Sequence, residues 1–323
     1  MADTSPLLSV DGLTKHYQLE SGHTLKAVEG VSFQIGHGET LGLVGESGCG
    51  KSTVGKTVLR LVEPSRGSVQ LEGVEITKLS YTALREQRRS MQVIFQDPYA
   101  SLNPKMKAGA IVAEPFINYG LLKPAERSER VAELFAKVGL RPDQMDRYPH
   151  EFSGGQRQRL GIARALALEP KLVIGDEPVS ALDVSVQAQV INLMVRLQEE
   201  LGLGYLFIAH DLAVVRHISD RVAVMYLGRI VEVAKTETLF HTPAHPYTRM
   251  LLASVPSADA RRVDRRRTVL RGEPPSPLKP PSGCPFHTRC PDAVERCRVD
   301  LPVLRSVGAG HIAACYLVGA ETA

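Results

Sequence analysis

The sequence predicts a layered α/β domain with a helical insertion, followed by a small extension of different composition. Three observations predict it. Short apolar runs alternate with helical patterns from Leu7 to about Val255, as in a sheet flanked by helices. Between Pro98 and Pro170 the pattern becomes mainly helical. Beyond Pro256, arginines, prolines and cysteines replace the alternation. The predicted division is 1–255, with its helical part at about 98–170, and 256–323. At 323 residues, 43% hydrophobic and 23% charged, the chain can bury its own core and has the composition of ordinary globular proteins.

Taken in order, Thr40–Val44, Val93–Phe95, Leu172–Ile174 and Tyr205–Ile208 read as buried strands, being apolar, rich in branched side chains and too short for helices. Ser128–Val138 and Gln156–Leu168 are the clearer helices of the insertion. The extension opens on a basic run, Arg261-Arg262 and Arg265-Arg266-Arg267. It reads as a solvated connection, with a contact to anionic lipid or a partner subunit as the other reading. Pro274-Pro275, Pro277 and Pro280-Pro281 follow. No repeat of solenoid period is present.

No apolar run approaches the ~18 residues of a spanning helix. The start, Met1-Ala2-Asp3-Thr4-Ser5-Pro6, lacks the order of a signal peptide. A soluble, cytosolic protein is expected. A net charge of +4 is mild and gives little support to nucleic-acid binding, which calls for a basic stripe.

Gly45-Glu46-Ser47-Gly48-Cys49-Gly50-Lys51-Ser52, followed by Thr53, comes directly after the strand ending at Val44. Glycines at this spacing let backbone N–H groups turn inward around phosphates. Lys51 brings positive charge to the β- and γ-phosphates, and the Ser52 hydroxyl can ligate Mg²⁺. A nucleoside triphosphate is the implied ligand, with GTPases, kinases, helicases and transport ATPases all still open.

Two later segments choose among them. Phe152-Ser153-Gly154-Gly155-Gln156-Arg157 opens a helical pattern; alone, such a turn is ordinarily a helix cap. Leu172-Val173-Ile174-Gly175-Asp176-Glu177 is an apolar strand ending in two carboxylates; alone, such a pair is ordinarily a solvated strand end. In this order after the phosphate loop, the segments resemble the ABC ATPase family, whose signature normally begins with leucine where this chain has Phe152.

The resemblance implies an α/β P-loop ABC ATPase core with an antiparallel β subdomain and a helical insertion, plus a small Cys-rich C-terminal extension. It also implies ATP and Mg²⁺ as ligands, and an ATP site completed by Ser153, Gly154, Gly155 and Gln156 of a facing subunit. Asp176 is implied to hold Mg²⁺ through water, and Glu177 to orient or deprotonate the attacking water. Ser180-Ala181-Leu182-Asp183 resembles the D-loop, His210 the switch histidine and Gln96 the glutamine that senses Mg²⁺. Tyr17 resembles the aromatic residue that stacks on adenine.

Gln96-Asp97-Pro98-Tyr99-Ala100-Ser101-Leu102-Asn103-Pro104, His245-Pro246-Tyr247-Thr248 and the cysteine-bearing tail are similar to those of di- and oligopeptide importers. Pro178-Val179-Ser180-Ala181-Leu182-Asp183-Val184-Ser185 resembles the second of the two different ATPases such importers pair. The implied partners are a second ABC ATPase in a heterodimer, two transmembrane permeases and an extracytoplasmic substrate-binding protein, at the cytoplasmic face of the membrane. Glutathione, nickel and antimicrobial-peptide systems share this subunit type. A soluble ABC ATPase of translation or DNA repair is the rival reading, although those commonly carry two cassettes per chain.

Cys284, Cys290, Cys297 and Cys315 leave intervals of five, six and seventeen residues, with Cys49 apart from them. A cytosolic location argues against disulfides, and the spacing against an ordinary zinc ribbon. Cys284-Pro285-Phe286-His287-Thr288-Arg289-Cys290 resembles the tail of peptide-importer ATPases that carry a [4Fe–4S] cluster. That cluster, zinc and free structural thiols are the three readings.

Overall fold

The computed structural model describes residues 5–254 and 273–318; the predicted boundary near 255 and the arginine run lie outside them. The chain begins with β1 (Leu8–Gln18), β2 (Thr24–Ile35), β3 (Thr40–Val44), α1 (Lys51–Val58), β4 (Arg66–Leu71) and β5 (Val74–Glu75). Next come α2 (Tyr81–Ser90), β6 (Met91–Ile94), α3 (Ala108–Asn118), α4 (Pro124–Lys137) and α5 (Gly154–Leu166). Then follow β7 (Leu172–Asp176), α6 (Val184–Leu201), β8 (Gly204–Ile208), α7 (Leu212–Ile218), β9 (Arg221–Tyr226) and β10 (Arg229–Lys235). The chain continues through α8 (Thr236–His241), α9 (Pro246–Ala253), α10 (Arg296–Val299), β11 (Arg305–Gly308) and β12 (His311–Ala313). Among the described residues, no helix is long and apolar enough to cross a membrane.

Two compact units divide these elements. The first is built mainly from Leu71–Ile208, and the second from Ser9–Gln34, Thr40–Gln70 and the described chain from Ala209 onward. In the first unit β6, β7 and β8 run parallel, with Ile94 opposite Gly175 and Asp176 opposite Ile208. Every residue of β7 and β8 is buried, which is why these strands read as unbroken apolar runs. Parallel pairing brings their C-terminal ends to one side, where ligands of α/β proteins bind. The predicted insertion is helical: α5 packs on α3, α4 and α6. Pro124 at the start of α4 and the Glu126 carboxylate, which accepts from the Lys123 N–H at 2.9 Å, begin that helix four residues before the expected Ser128.

In the second unit the strand order is β11-β12-β10-β9-β3, and β2, β1 and β4 lie side by side. β3 pairs parallel with β9, placing Val44 opposite Val224. β9 and β10 form a hairpin whose two linking residues, Leu227 and Gly228, have φ of 43° and 80°, the left-handed conformations a tight hairpin turn needs. β12 adds to β10 with Val233 opposite Ile312. The cysteine-bearing tail is thereby built into a sheet that also contains the strand leading to the phosphate loop.

Candidate nucleotide site

In the second unit, the residues between β3 and α1 form a loop whose last member, Gly50, precedes α1 with φ 106° and offers no side-chain cap. No side chain caps this helix start, and the helix dipole favours negative charge there. Ser52 and Thr53 stand in that first turn. The Lys51 side chain is buried, its Nζ donating to the carbonyls of Gly45 at 2.8 Å and Glu46 at 3.1 Å. Cys49 Sγ is 4.0 Å from the same ammonium. Burial raises the Cys49 thiol above its ordinary range despite the nearby Lys51 charge, so Cys49 is a neutral packing group. Ser47 and Gly48 form the bend of the loop. Tyr17 lies in β1 of the same unit, with Lys15 Nζ 4.9 Å from its ring centre. His210 is exposed and directly precedes Asp211, whose carboxylate caps α7 by accepting from Ala213 at 2.8 Å.

The first unit holds the carboxylates. Asp176 is the buried last residue of β7. Glu177 follows with φ 49° and donates its N–H to the Ile208 carbonyl at 3.0 Å. A left-handed φ at a glutamate is uncommon and persists where neighbouring bonds enforce it; here the Glu177 carbonyl also accepts from the Ser180 N–H and hydroxyl, at 3.2 and 3.1 Å. The Gln96 amide, just beyond β6, donates to Glu177 Oε2 at 3.1 Å. These two residues are 81 positions apart, so the two sequence-predicted groups are brought together by strand order alone.

In the same unit, Ser153 Oγ accepts from the Gln156 N–H at 3.3 Å while Gln156 Oε1 accepts from the Ser153 N–H at 3.0 Å, a reciprocal cap on α5. Ser153 and Gly154 are exposed and Gly155 is buried. Phe152, the departure from the family's leucine, is 3% exposed and acts as core packing beneath the turn.

Cys284, Cys290, Cys297 and Cys315 line one small cavity of the second unit together with His245, Phe286 and Pro302. Burial pushes the thiols of Cys284 and Cys290 up to about 11, and neighbouring cysteines add to both shifts. Among the described residues, no group of three or more His, Cys, Asp or Glu side chains is arranged to hold a metal ion. Neither zinc nor the iron–sulfur expectation thus has the support of a preformed metal-binding group.

Sequence reasoning missed two residues that touch the phosphate loop. The Glu46 N–H donates to Tyr247 Oη at 2.9 Å, and the Glu46 carboxylate accepts from both terminal nitrogens of Arg289. Both residues sat inside motifs noted for subfamily likeness, His245–Thr248 and Cys284–Cys290, but a separation of 243 positions between Arg289 and Glu46 leaves no local signal of the pairing.

The ABC transporter family model matches residues 28–180. The fold is similar to that of the ATP-binding cassette MJ0796, in a dimeric post-hydrolysis state bound to ADP and Pi. The TM-score is 0.65 at 29% identity, over 71% of this chain and 98% of that one. CbiO1 from Clostridium perfringens matches with the same TM-score of 0.65 over 73% of this chain and 91% of its own. These matches define the chain as an ATP-binding cassette ATPase, an enzyme of a family that hydrolyses ATP with Mg²⁺.

A second model, the C-terminal region of oligopeptide/dipeptide transporters, matches residues 231–297. The chain is 56% identical over 313 residues to the putative peptide import ATP-binding protein BOV_A0347 of Brucella ovis, covering 96% of this chain and 98% of that one. It is 53% identical over 324 residues to the oligopeptide transport ATP-binding protein AppF of Bacillus subtilis, covering 98% of each. The chain belongs to the oligopeptide/dipeptide family of ABC transporter ATP-binding proteins.

Proposed function

We propose that this chain is the ATP-hydrolysing subunit that energises import of di- or oligopeptides across the cytoplasmic membrane. In this reading it sits on the cytoplasmic face, pairs with a second, different ATPase, and docks on two permeases fed by an extracytoplasmic binding protein. The observation that carries the reading is likeness to peptide import ATP-binding proteins across nearly the whole chain, tail included.

The chemical step is attack of water on the γ-phosphate. Glu177 orients that water or takes its proton, and Gln96, already bonded to Glu177 Oε2, holds the carboxylate in a single orientation. Lys51 and the N–H groups of the loop bind the phosphates, while His210 contacts the γ-phosphate. Ser153 and Gly155 act on the ATP of the facing subunit. The Ser52 hydroxyl and Asp176 carboxylate are hard oxygen donors of the kind Mg²⁺ takes. When bound, Mg²⁺ offsets charge developing on the phosphate oxygens.

The test is purification of the subunit from detergent-solubilised membranes, with copurifying chains identified and turnover measured with and without peptide and binding protein. Two permeases, a second ATPase and peptide-stimulated turnover are expected; a soluble partner and no permease would overturn the reading. Glu177→Gln should retain ATP binding and lose turnover by about 100-fold or more, accumulating closed dimers. Preserved turnover in that variant would remove Glu177 from its role.

For the tail we propose a [4Fe–4S] cluster held by Cys284, Cys290, Cys297 and Cys315. Supporting it, all four cysteines are among the residues that line one small cavity. Such a cluster supplies a four-point covalent staple to a tail with few apolar residues. The raised thiols of Cys284 and Cys290 mean that ligation releases protons. Anaerobically purified protein should contain iron and acid-labile sulfide and lose both in Cys290→Ser; iron-free, folded protein would sink the proposal.

A further inference from the structure

Arg289 lies in the tail, one residue before Cys290, yet it engages the phosphate loop. Nη1 donates to Glu46 Oε2 at 2.7 Å and Nη2 to Oε1 at 2.9 Å, two parallel bonds between a guanidinium and a carboxylate. The Arg289 side chain is 5% exposed and that of Glu46 23%, so water competes little for the pair. A third contact runs from Nη1 to Tyr226 Oη at 3.4 Å. The Glu46 bond pushes the guanidinium further above its already high ordinary range.

The backbone of Glu46 is fixed as well. Its N–H donates to Tyr247 Oη at 2.9 Å and its carbonyl accepts from Lys51 Nζ at 3.1 Å. Tyr247 is fully buried and packs on Tyr226 at 4.7 Å and on Phe286 at 5.3 Å between ring centres. Phe286 belongs to the same cysteine-flanked segment as Arg289. The tail thus grips the loop at its second residue by charge, while α9 and an aromatic cluster grip it by packing. Lys51, the residue assigned to the phosphates, shares the carbonyl so held.

We propose that Arg289 is a positioning residue for nucleotide binding: through Glu46 it holds the first turn of the phosphate loop and cancels a carboxylate charge beside the triphosphate. A loop ordered in advance binds without first losing its freedom. An unpaired carboxylate next to the phosphates would repel them. The tail of this family then bears on how tightly the chain holds ATP. The inference rests on the loop's role in binding ATP.

The experiment is a double-mutant cycle on the full chain, with equilibrium binding of a fluorescent ATP analogue and KM for ATP as readouts. Arg289→Gln should weaken binding and raise KM about tenfold, with a smaller change in kcat. Arg289→Lys, which keeps the charge but not the fork, should lose about threefold. In a Glu46→Gln background, Arg289→Gln should cost less than about twofold, because the charge it balanced is gone. Equal losses in both backgrounds would reduce Arg289 to tail stability and overturn the proposal, as would unchanged affinity in a folded Arg289→Gln. If Arg289→Gln does not fold, the same cycle is run with Arg289→Lys. A parent chain that fails to bind the analogue would break the ATP-binding reading itself; a binding parent with unmoved variants breaks only this proposal.

Discussion

The turns that open α1 and α5 both bring glycine to the start of a helix, and they satisfy the helix start in different ways. Before α1 the capping position is Gly50, at φ 106° with no side-chain bond; before α5 it is Ser153, locked to Gln156 by two reciprocal bonds. A helix start with no side-chain cap draws its order from neighbouring chain: a carbon added at Gly50 would sit 2.1 Å from the Ala27 carbonyl oxygen. A self-capped start is ordered by its own sequence, with Ser153 and Gly154 exposed. One glycine turn is thus ordered from outside and the other from within.

The strongest way to break this comparison is Gly50→Ala. The left-handed φ and a clash with backbone cannot both relax, so ATP affinity should fall about 100-fold or more, with a lowered melting midpoint. Near-parental binding in isothermal titration would show that the loop does not depend on its neighbours. Gly155→Ala comes next, since its Cβ would lie 2.3 Å from Val186 Cγ1. Overpacking of this kind costs about 1–3 kcal/mol, and Val186→Ala in the same chain should restore most of the lost stability. Failure of that rescue in denaturant melts would locate the strain elsewhere.

The smallest effect sharpens the comparison. Ser153→Ala should cost about 1 kcal/mol through the lost cap, and Ser153→Asp should recover it. Gly154→Ala meets nothing closer than Leu182 Cδ2 at 3.4 Å, so its stability should stay within about 0.5 kcal/mol. Lost turnover in a stable Gly154→Ala would then report a contact made by another subunit.

The segments to which chemistry was assigned stand out in the sequence because each is local: glycine, lysine and serine at fixed offsets, an apolar strand ending in acids, a serine three residues before its glutamine. β3 matched its expected bounds, and β7 ran two residues further than the apolar run because Gly175 and Asp176 continue the ladder with β8. Phe95 lay beyond the end of β6, which closes at Ile94. What could not be read is long-range. β11 and β12 have four and three residues, too few for an alternating pattern to register. Glu232 is fully buried because His311 Nε2 bonds its carboxylate at 2.7 Å and the Ala244 and His245 N–H groups bond it at 2.7 and 2.9 Å; a glutamate within a strand carries no sign of such partners. The Arg289–Glu46 pair was hidden for the same reason.

The pairing of β12 with β10 has a consequence for any shortened form of the chain. Val233 and Glu232 meet Ile312 and Ala313 across that ladder, and the Val231 carbonyl accepts from Ala314 at 2.8 Å. A chain ending after α9 would turn β10 into an open sheet edge of mostly apolar residues, the kind of surface on which proteins self-associate. Among the described residues the strand at that end of the sheet order is instead β11, four residues long with an exposed arginine at its start, a shorter edge than β10 would be. Shortened forms should therefore be judged by aggregation before any loss of activity is assigned to a missing cofactor.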